Sequence, residues 1–117
     1  MNNRNYTRVS YLVGASLSFG SDVLICNTHN VSLRGMYLKT GYEIPLGIPV
    51  NVTVYHSNQS SLKFDAKVVR IEESGVGLLI DCLNANSFAK LCDIVAENSS
   101  NRSVVMQETY GMLQYIY

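Results

Sequence analysis

Val50, Val52 and Val54 alternate with Asn51 and Thr53 across VNVTVYHS, the period-two pattern of a strand with one buried face. The same texture, β-branched and aromatic residues punctuated by turn formers, runs through most of the chain. VSYLVGASLSF (9–19) predicts a first strand that stops at Gly20-Ser21-Asp22. DVLICNTHNVS (22–32) predicts a second, broken near 27–30, and GMYLKT (35–40) a third. A stretch punctuated by Gly and Pro, from Gly41 to Pro49, leads into the fourth, VNVTVYHS. LKFDAKVVRIE (62–72) and GVGLLID (75–81) then read as a hairpin closed by a tight turn at Glu72–Gly75.

Beyond residue 81 the period changes. Phe88, Leu91, Cys92 and Val95 fall at i, i+3, i+4 and i+7, one stripe of an amphipathic helix, with Asn86 or Ser87 placed to cap its first turn. NRSVVMQETYGMLQYIY (101–117) predicts a second helix starting from Asn101 or Ser103, although Gly111 and the β-branched and aromatic residues weaken it. Six strands at short spacing followed by helix predict a mainly β fold: a six-stranded antiparallel barrel or roll with a C-terminal helical segment over about 84–117. Residues 1–8, MNNRNYTR, are polar and aperiodic and read as a flexible N-terminal arm ahead of a single domain, 9–117.

At 117 residues there is room for one hydrophobic core, and 47% apolar against 15% charged residues excludes a disordered chain. The formal net charge is zero, so no global field attracts a nucleic-acid polymer, and a phosphate-bearing ligand needs a local basic patch. Arg4 and Arg8, with no acid between them, supply one. No apolar run approaches the ~20 residues that cross a bilayer. There is no basic, then apolar, leader pattern either, so a cytoplasmic protein without membrane insertion is expected. Cys26, Cys82 and Cys92 are odd in number and form no CxxC pair, which reads as small buried hydrophobes in a reducing compartment. Together with His29 and His56 they match no common zinc spacing, and neither metal nor other cofactor is expected. An enzymatic reading requires Cys26 or Cys82 as nucleophile, and Asp81 beside Cys82 completes no constellation. The chain therefore reads as a non-enzyme.

Three local patterns occur in chain order. Arg4-Asn5-Tyr6-Thr7-Arg8 is an RxxxR immediately before the first strand. Asn30-Val31-Ser32-Leu33-Arg34-Gly35 is an (Asp/Asn)xSxxG between the second and third strands. AKVVRIEESGVGLLI is a hairpin of two apolar strands late in the barrel. Each motif alone is weak; together, at these boundaries, they resemble the PilZ domain family over roughly residues 4–98.

The resemblance implies a six-stranded barrel and a receptor for cyclic di-GMP, with Arg4, Arg8, Asn30, Ser32 and Gly35 as the ligand-contacting positions. Arg34 and Arg70 are weaker candidates for the same patch. The residue types suit that ligand. Guanidinium forks bond bidentately to phosphate oxygens or to the O6/N7 edge of guanine, which a lysine ammonium does not do. Asn30 and Ser32, two apart on an extended strand, share a face and offer amide and hydroxyl groups. Gly35 either takes a positive φ at a bend or lets a nucleotide approach the backbone. Many family members carry Asp where this chain has Asn30, which adds a donor to an acceptor-only position. The expected consequence is that the ligand orders the arm and changes the surface presented to a downstream protein. The alternatives are a related cyclic dinucleotide, or a barrel that has lost nucleotide binding and acts as a protein–protein interaction module. In the latter, the terminal helix or Tyr110, Tyr115 and Tyr117 would carry the contacts.

Overall fold

A computed structural model describes residues 6–117; Arg4 and Asn5 lie outside the described residues. The alternation seen in the sequence becomes the inside and outside of a closed barrel. Strands β2 (Gly14–Phe19), β3 (Asp22–Val31), β4 (Gly35–Lys39), β5 (Pro49–Ser57), β6 (Ser60–Glu72) and β7 (Gly75–Cys82) pair antiparallel in the order β3-β2-β5-β6-β7-β4, and β4 returns to β3 to close the ring. Val50, Val52 and Val54 point inward from β5 to meet Leu62, Phe64, Ala66 and Val68 from β6 and Val76, Leu78 and Ile80 from β7, all buried. Closure leaves few open edges, which is how a small all-antiparallel sheet avoids pairing with other chains.

The first predicted strand is two. β1 is only Val9–Ser10, paired with Val31 and Asn30 at the far end of β3, and β2 starts at Gly14. Thr28, fully buried on β3, makes the break: its hydroxyl donates to the Tyr11 carbonyl and accepts from the Val13 amide at 2.9 Å. The side chain thus satisfies backbone groups that a continuous ladder would have paired. Gly20, at φ +58°, makes the β2–β3 turn in the left-handed region that favours glycine.

α1 (Ala85–Asn98) lies against β6 with Leu91, Ile94 and Val95 buried and Phe88 and Cys92 on the margin of its apolar face. Its cap is Asn84, not Asn86 or Ser87. Asn84 has the extended backbone an N-cap needs, and its Oδ1 accepts from the Ser87 amide at 2.8 Å. Ser87 is already one turn inside, where its Oγ accepts from the Lys63 amide at 3.1 Å and ties the helix to the sheet.

α2 (Arg102–Glu108) starts from Asn101, as expected, but tightens into a 3-10 segment, Thr109–Tyr115. The chain end is pinned to the barrel. Leu83 donates to the Tyr115 carbonyl at 3.0 Å and accepts from the Tyr117 amide at 3.1 Å. Among the described residues no helix is long and apolar enough to cross a membrane.

Candidate functional site

Pairing of β1 with the end of β3 sets Arg8, the residue just before β1, beside Asn30. The ladder between β3 and β4 slips here: Thr28 faces Leu38 but Asn30 faces Tyr37, so His29 is the extra residue of a bulge. Arg8 Nη1 donates to Asn30 Oδ1 at 2.5 Å, and Asn30 Nδ2 lies 3.3 Å from His29 Nδ1. The first and second motifs therefore meet in space, 22 residues apart in the chain.

Arg8 borders a shallow groove of ≈ 240 Å³ on the outer barrel wall, together with Tyr6, Ser32, Arg34 and Gly35 and the apolar Val69 and Leu79. Burial, and then the charge of Arg70, hold the Arg8 guanidinium below its ordinary pKa. Arginine nevertheless stays charged at neutral pH. Arg70 lies across Gly77, where an added Cβ would come within 3.3 Å of its side chain, and its Nε bonds Glu72 Oε2 at 2.5 Å. Arg8 and Arg34 beside the apolar Val69 and Leu79 form an environment for an anion carrying flat rings.

Ser32 and Gly35 have other partners. The Ser32 hydroxyl donates to the Gly35 carbonyl at 3.1 Å and accepts from the amides of Gly35 at 3.1 Å and Arg34 at 3.3 Å. One donor and two acceptor sites are thereby filled, so Ser32 shapes the turn between β3 and β4. Gly35 does not take a positive φ. The close approach is by protein: a Cβ on Gly35 would sit 2.2 Å from the Leu78 carbonyl oxygen on β7. Arg34 also lines the groove and has partners of its own. Its Nε donates to the Ile80 carbonyl at 3.1 Å, its Nη1 to Tyr115 Oη at 2.6 Å, and its guanidinium carbon lies 3.9 Å from the centre of the Tyr115 ring. Arg34 therefore borders the groove while bracing the C-terminal segment, and Arg70, outside the lining, acts on Arg8 through its charge.

Two contributions were not legible in the sequence: the apolar wall of Val69 and Leu79, and the tie between Thr7 and Glu108, whose carboxylate takes both the amide and the hydroxyl of Thr7. A larger cavity, ≈ 580 Å³, lies elsewhere, between Thr40–Pro45 and the β6–β7 turn. Glu43, Glu72 and Glu73 line it and would repel a phosphate.

The other candidate chemistry disperses. Cys26 is buried; Cys82 and Cys92 are half-buried rather than fully so. Burial raises the Cys26 thiol, burial and the Asp65 carboxylate raise Cys82, and burial beside Asp93 pushes Cys92 up to about 11. A protonated thiol is a poor nucleophile at neutral pH. Among the described residues no three His, Cys, Asp or Glu side chains gather as a metal site. His29 packs edge-on to Tyr37, and His56 Nδ1 bonds Tyr11 Oη at 2.5 Å. The Cys92 shift has a consequence for stability. The unfolded thiol ionises near 9.0 and the folded one near 11, so the folded state keeps its advantage below pH 9 and loses it as pH rises to 11. Thermal unfolding of the wild type is expected to fall more steeply over that window than that of Cys92→Ala; equal slopes would contradict it.

Fold and groove together define a small β-barrel domain with an arginine-bearing wall beside its β3–β4 turn. The family model of the PilZ domain matches residues 2–97, and the chain belongs to that family. The PilZ domain of YcgR from Escherichia coli, solved with c-di-GMP, is similar over 97% of this chain and 98% of that one, with a TM-score of 0.69 and 15% identity. The PilZ domain of CeSA from a cellulose-synthesizing bacterium is similar over 76% of this chain and 94% of that one, at 0.62 and 15%. The Bacillus subtilis inhibitor of motility MotI/DgrA gives 0.69 and 14% over 83% of this chain, which spans only 51% of that protein. At these identities the likeness is one of fold. No curated protein sequence matches the chain.

Proposed function

We propose that the protein is a cyclic di-GMP receptor module, a binding domain and not an enzyme. The observation that carries this reading is the meeting of Arg8 with Asn30 beside the turn of Ser32 and Gly35, on the outer wall of a PilZ barrel. The c-di-GMP held by the similar YcgR domain supports it. Without ligand, Arg8 and Asn30 satisfy one another. A phosphate or guanine edge offers Arg8 a charge-assisted partner in place of a neutral amide oxygen, and frees Asn30 to bond the ligand as acceptor and donor. Arg70 adds charge at the same wall, and Val69 and Leu79 offer a face for a base. Arg4, from the arm, is the second fork. Closing the arm over the ligand alters the surface a downstream protein meets, which is the form of the signal.

One observation favours a second reading, in which the barrel acts through protein contacts alone: Met106, Tyr110, Leu113 and Tyr117 on the C-terminal segment are all well exposed. Isothermal titration with cyclic di-GMP, and with cyclic di-AMP and GTP as controls, separates the two. Saturable heat with cyclic di-GMP alone is expected. Heat with a second cyclic dinucleotide would broaden the ligand class, and none from a folded sample would turn the assignment to the interaction module.

A further inference from the structure

We propose that Glu108 is a positioning residue for nucleotide binding: from the end of α2 it clamps Thr7, and so holds the arginine-bearing arm beside the groove. The proposal rests on the receptor reading above and adds a residue that neither motif contains.

Glu108 is buried, at 8% exposure, and both of its oxygens are spent on one residue 101 positions away. Oε1 accepts from the Thr7 amide at 2.9 Å and Oε2 from the Thr7 hydroxyl at 2.7 Å. Such a place is costly for a carboxylate. It is taken out of water. Among the described residues no cation pairs with it; Arg70–Glu72 is the ion pair found there. The two charge-assisted bonds from Thr7 are what offset that cost.

Thr7 is the residue between the two arginines that adjoins Arg8. Fixing its backbone fixes the start of β1, and with it the reach of Arg8 to Asn30. A ligand then meets Arg8 already in place, with less conformational entropy to offset at that residue on binding. The turn that borders the same groove is gripped by the same C-terminal segment. Arg34, in the turn that holds Ser32 and Gly35, bonds and stacks on Tyr115, and Tyr115 is pinned to Leu83 by its carbonyl. α2 and the 3-10 segment thus hold both Thr7 and the turn that carries Arg34 beside the groove.

Glu108→Ala removes the clamp. Glu108→Gln keeps it without charge, because the amide oxygen accepts from the Thr7 N–H and the amide nitrogen donates to the Thr7 hydroxyl. Titration with cyclic di-GMP is expected to show Kd about ten-fold higher for E108A and within about two-fold of wild type for E108Q. Without ligand, trypsin is expected to cut the Arg8–Val9 bond several-fold faster in E108A than in wild type or E108Q. Should E108A fail to fold, Thr7→Val cuts the hydroxyl contact from the arm side, with the same direction expected in both assays. E108A that binds and resists trypsin like wild type overturns the proposal. So does E108Q that behaves like E108A, since the charge and not the clamp would then matter. Wild type that binds no cyclic dinucleotide overturns the receptor reading and the nucleotide half of this one, while the trypsin contrast still decides the clamp.

Discussion

Replacing Arg4 and Arg8 together with alanine is expected to abolish cyclic di-GMP binding while leaving the unfolding temperature within about 3 °C of wild type. The two halves of that expectation have different physical grounds. Hydrogen bonds to a charged partner contribute about 1.5–3 kcal/mol each, so the loss of one guanidinium raises Kd by roughly 10- to 150-fold and the loss of both by the product. The barrel, in contrast, asks little of Arg8. Its bond in the folded protein is to the exposed amide of Asn30, which water replaces at small cost. Arg8→Lys is the informative partner variant. It keeps the charge and loses the fork, so binding falls by most of the alanine effect if bidentate recognition dominates, and by little if charge alone does. Arg34→Ala is expected to do both: its contacts to Ile80 and Tyr115 brace the C-terminal segment, and Arg34 lines the groove, so stability and binding fall together. Double-alanine protein that binds with unchanged affinity would remove the arm from the site altogether.

How much of this was legible beforehand follows from which interactions are local. Strand positions 50–54 and 62–68 announce themselves because burial on one face forces a period of two, and Asn101 was found as a cap because capping acts within one turn. The split of the first strand was not legible, because it is made by Thr28, a threonine of ordinary β pattern whose hydroxyl happens to meet Tyr11 and Val13 from the neighbouring strand. The cap of α1 was misplaced by two residues for a related reason: Asn84, Asn86 and Ser87 are all competent, and only the chain's exit from β7 decides among them. At the site, the motifs located Arg8 and Asn30, and the structure brings them together. They said nothing of Val69 and Leu79, whose apolar character looks like any strand's, nor of Glu108, which reads as a helix-surface acid until the fold brings Thr7 to it. The turn role of Ser32 was not told apart from a ligand role, since turn chemistry and ligand chemistry call on the same hydroxyl.

Gly35→Ala is expected to destabilise the protein by about 3 kcal/mol or more, lowering its unfolding temperature by about 10 °C. An alanine Cβ there would lie 2.2 Å from the Leu78 carbonyl oxygen, far inside contact distance. The obstacle is backbone, so no side-chain rotation relieves it; β4 must move away from β7. The two strands are held in register from Gly35–Leu79 to Lys39–Gly75, and Met36 and Leu38 from the same strand fill the core, so the movement propagates into packing. Gly14→Ala and Gly41→Ala, where a new Cβ meets nothing within 4 Å, are the controls and are expected to shift stability by no more than about 0.5 kcal/mol. Binding by G35A falls as well, because the Ser32 hydroxyl is bonded to both the amide and the carbonyl of residue 35 and the turn carrying the site moves with it. The order of the two effects is what tests the assignment. A G35A protein that unfolds like wild type yet fails to bind would mean that the glycine makes room for the nucleotide; one that is destabilised in the absence of ligand shows that it makes room for β7, and serves the site by keeping its wall flat.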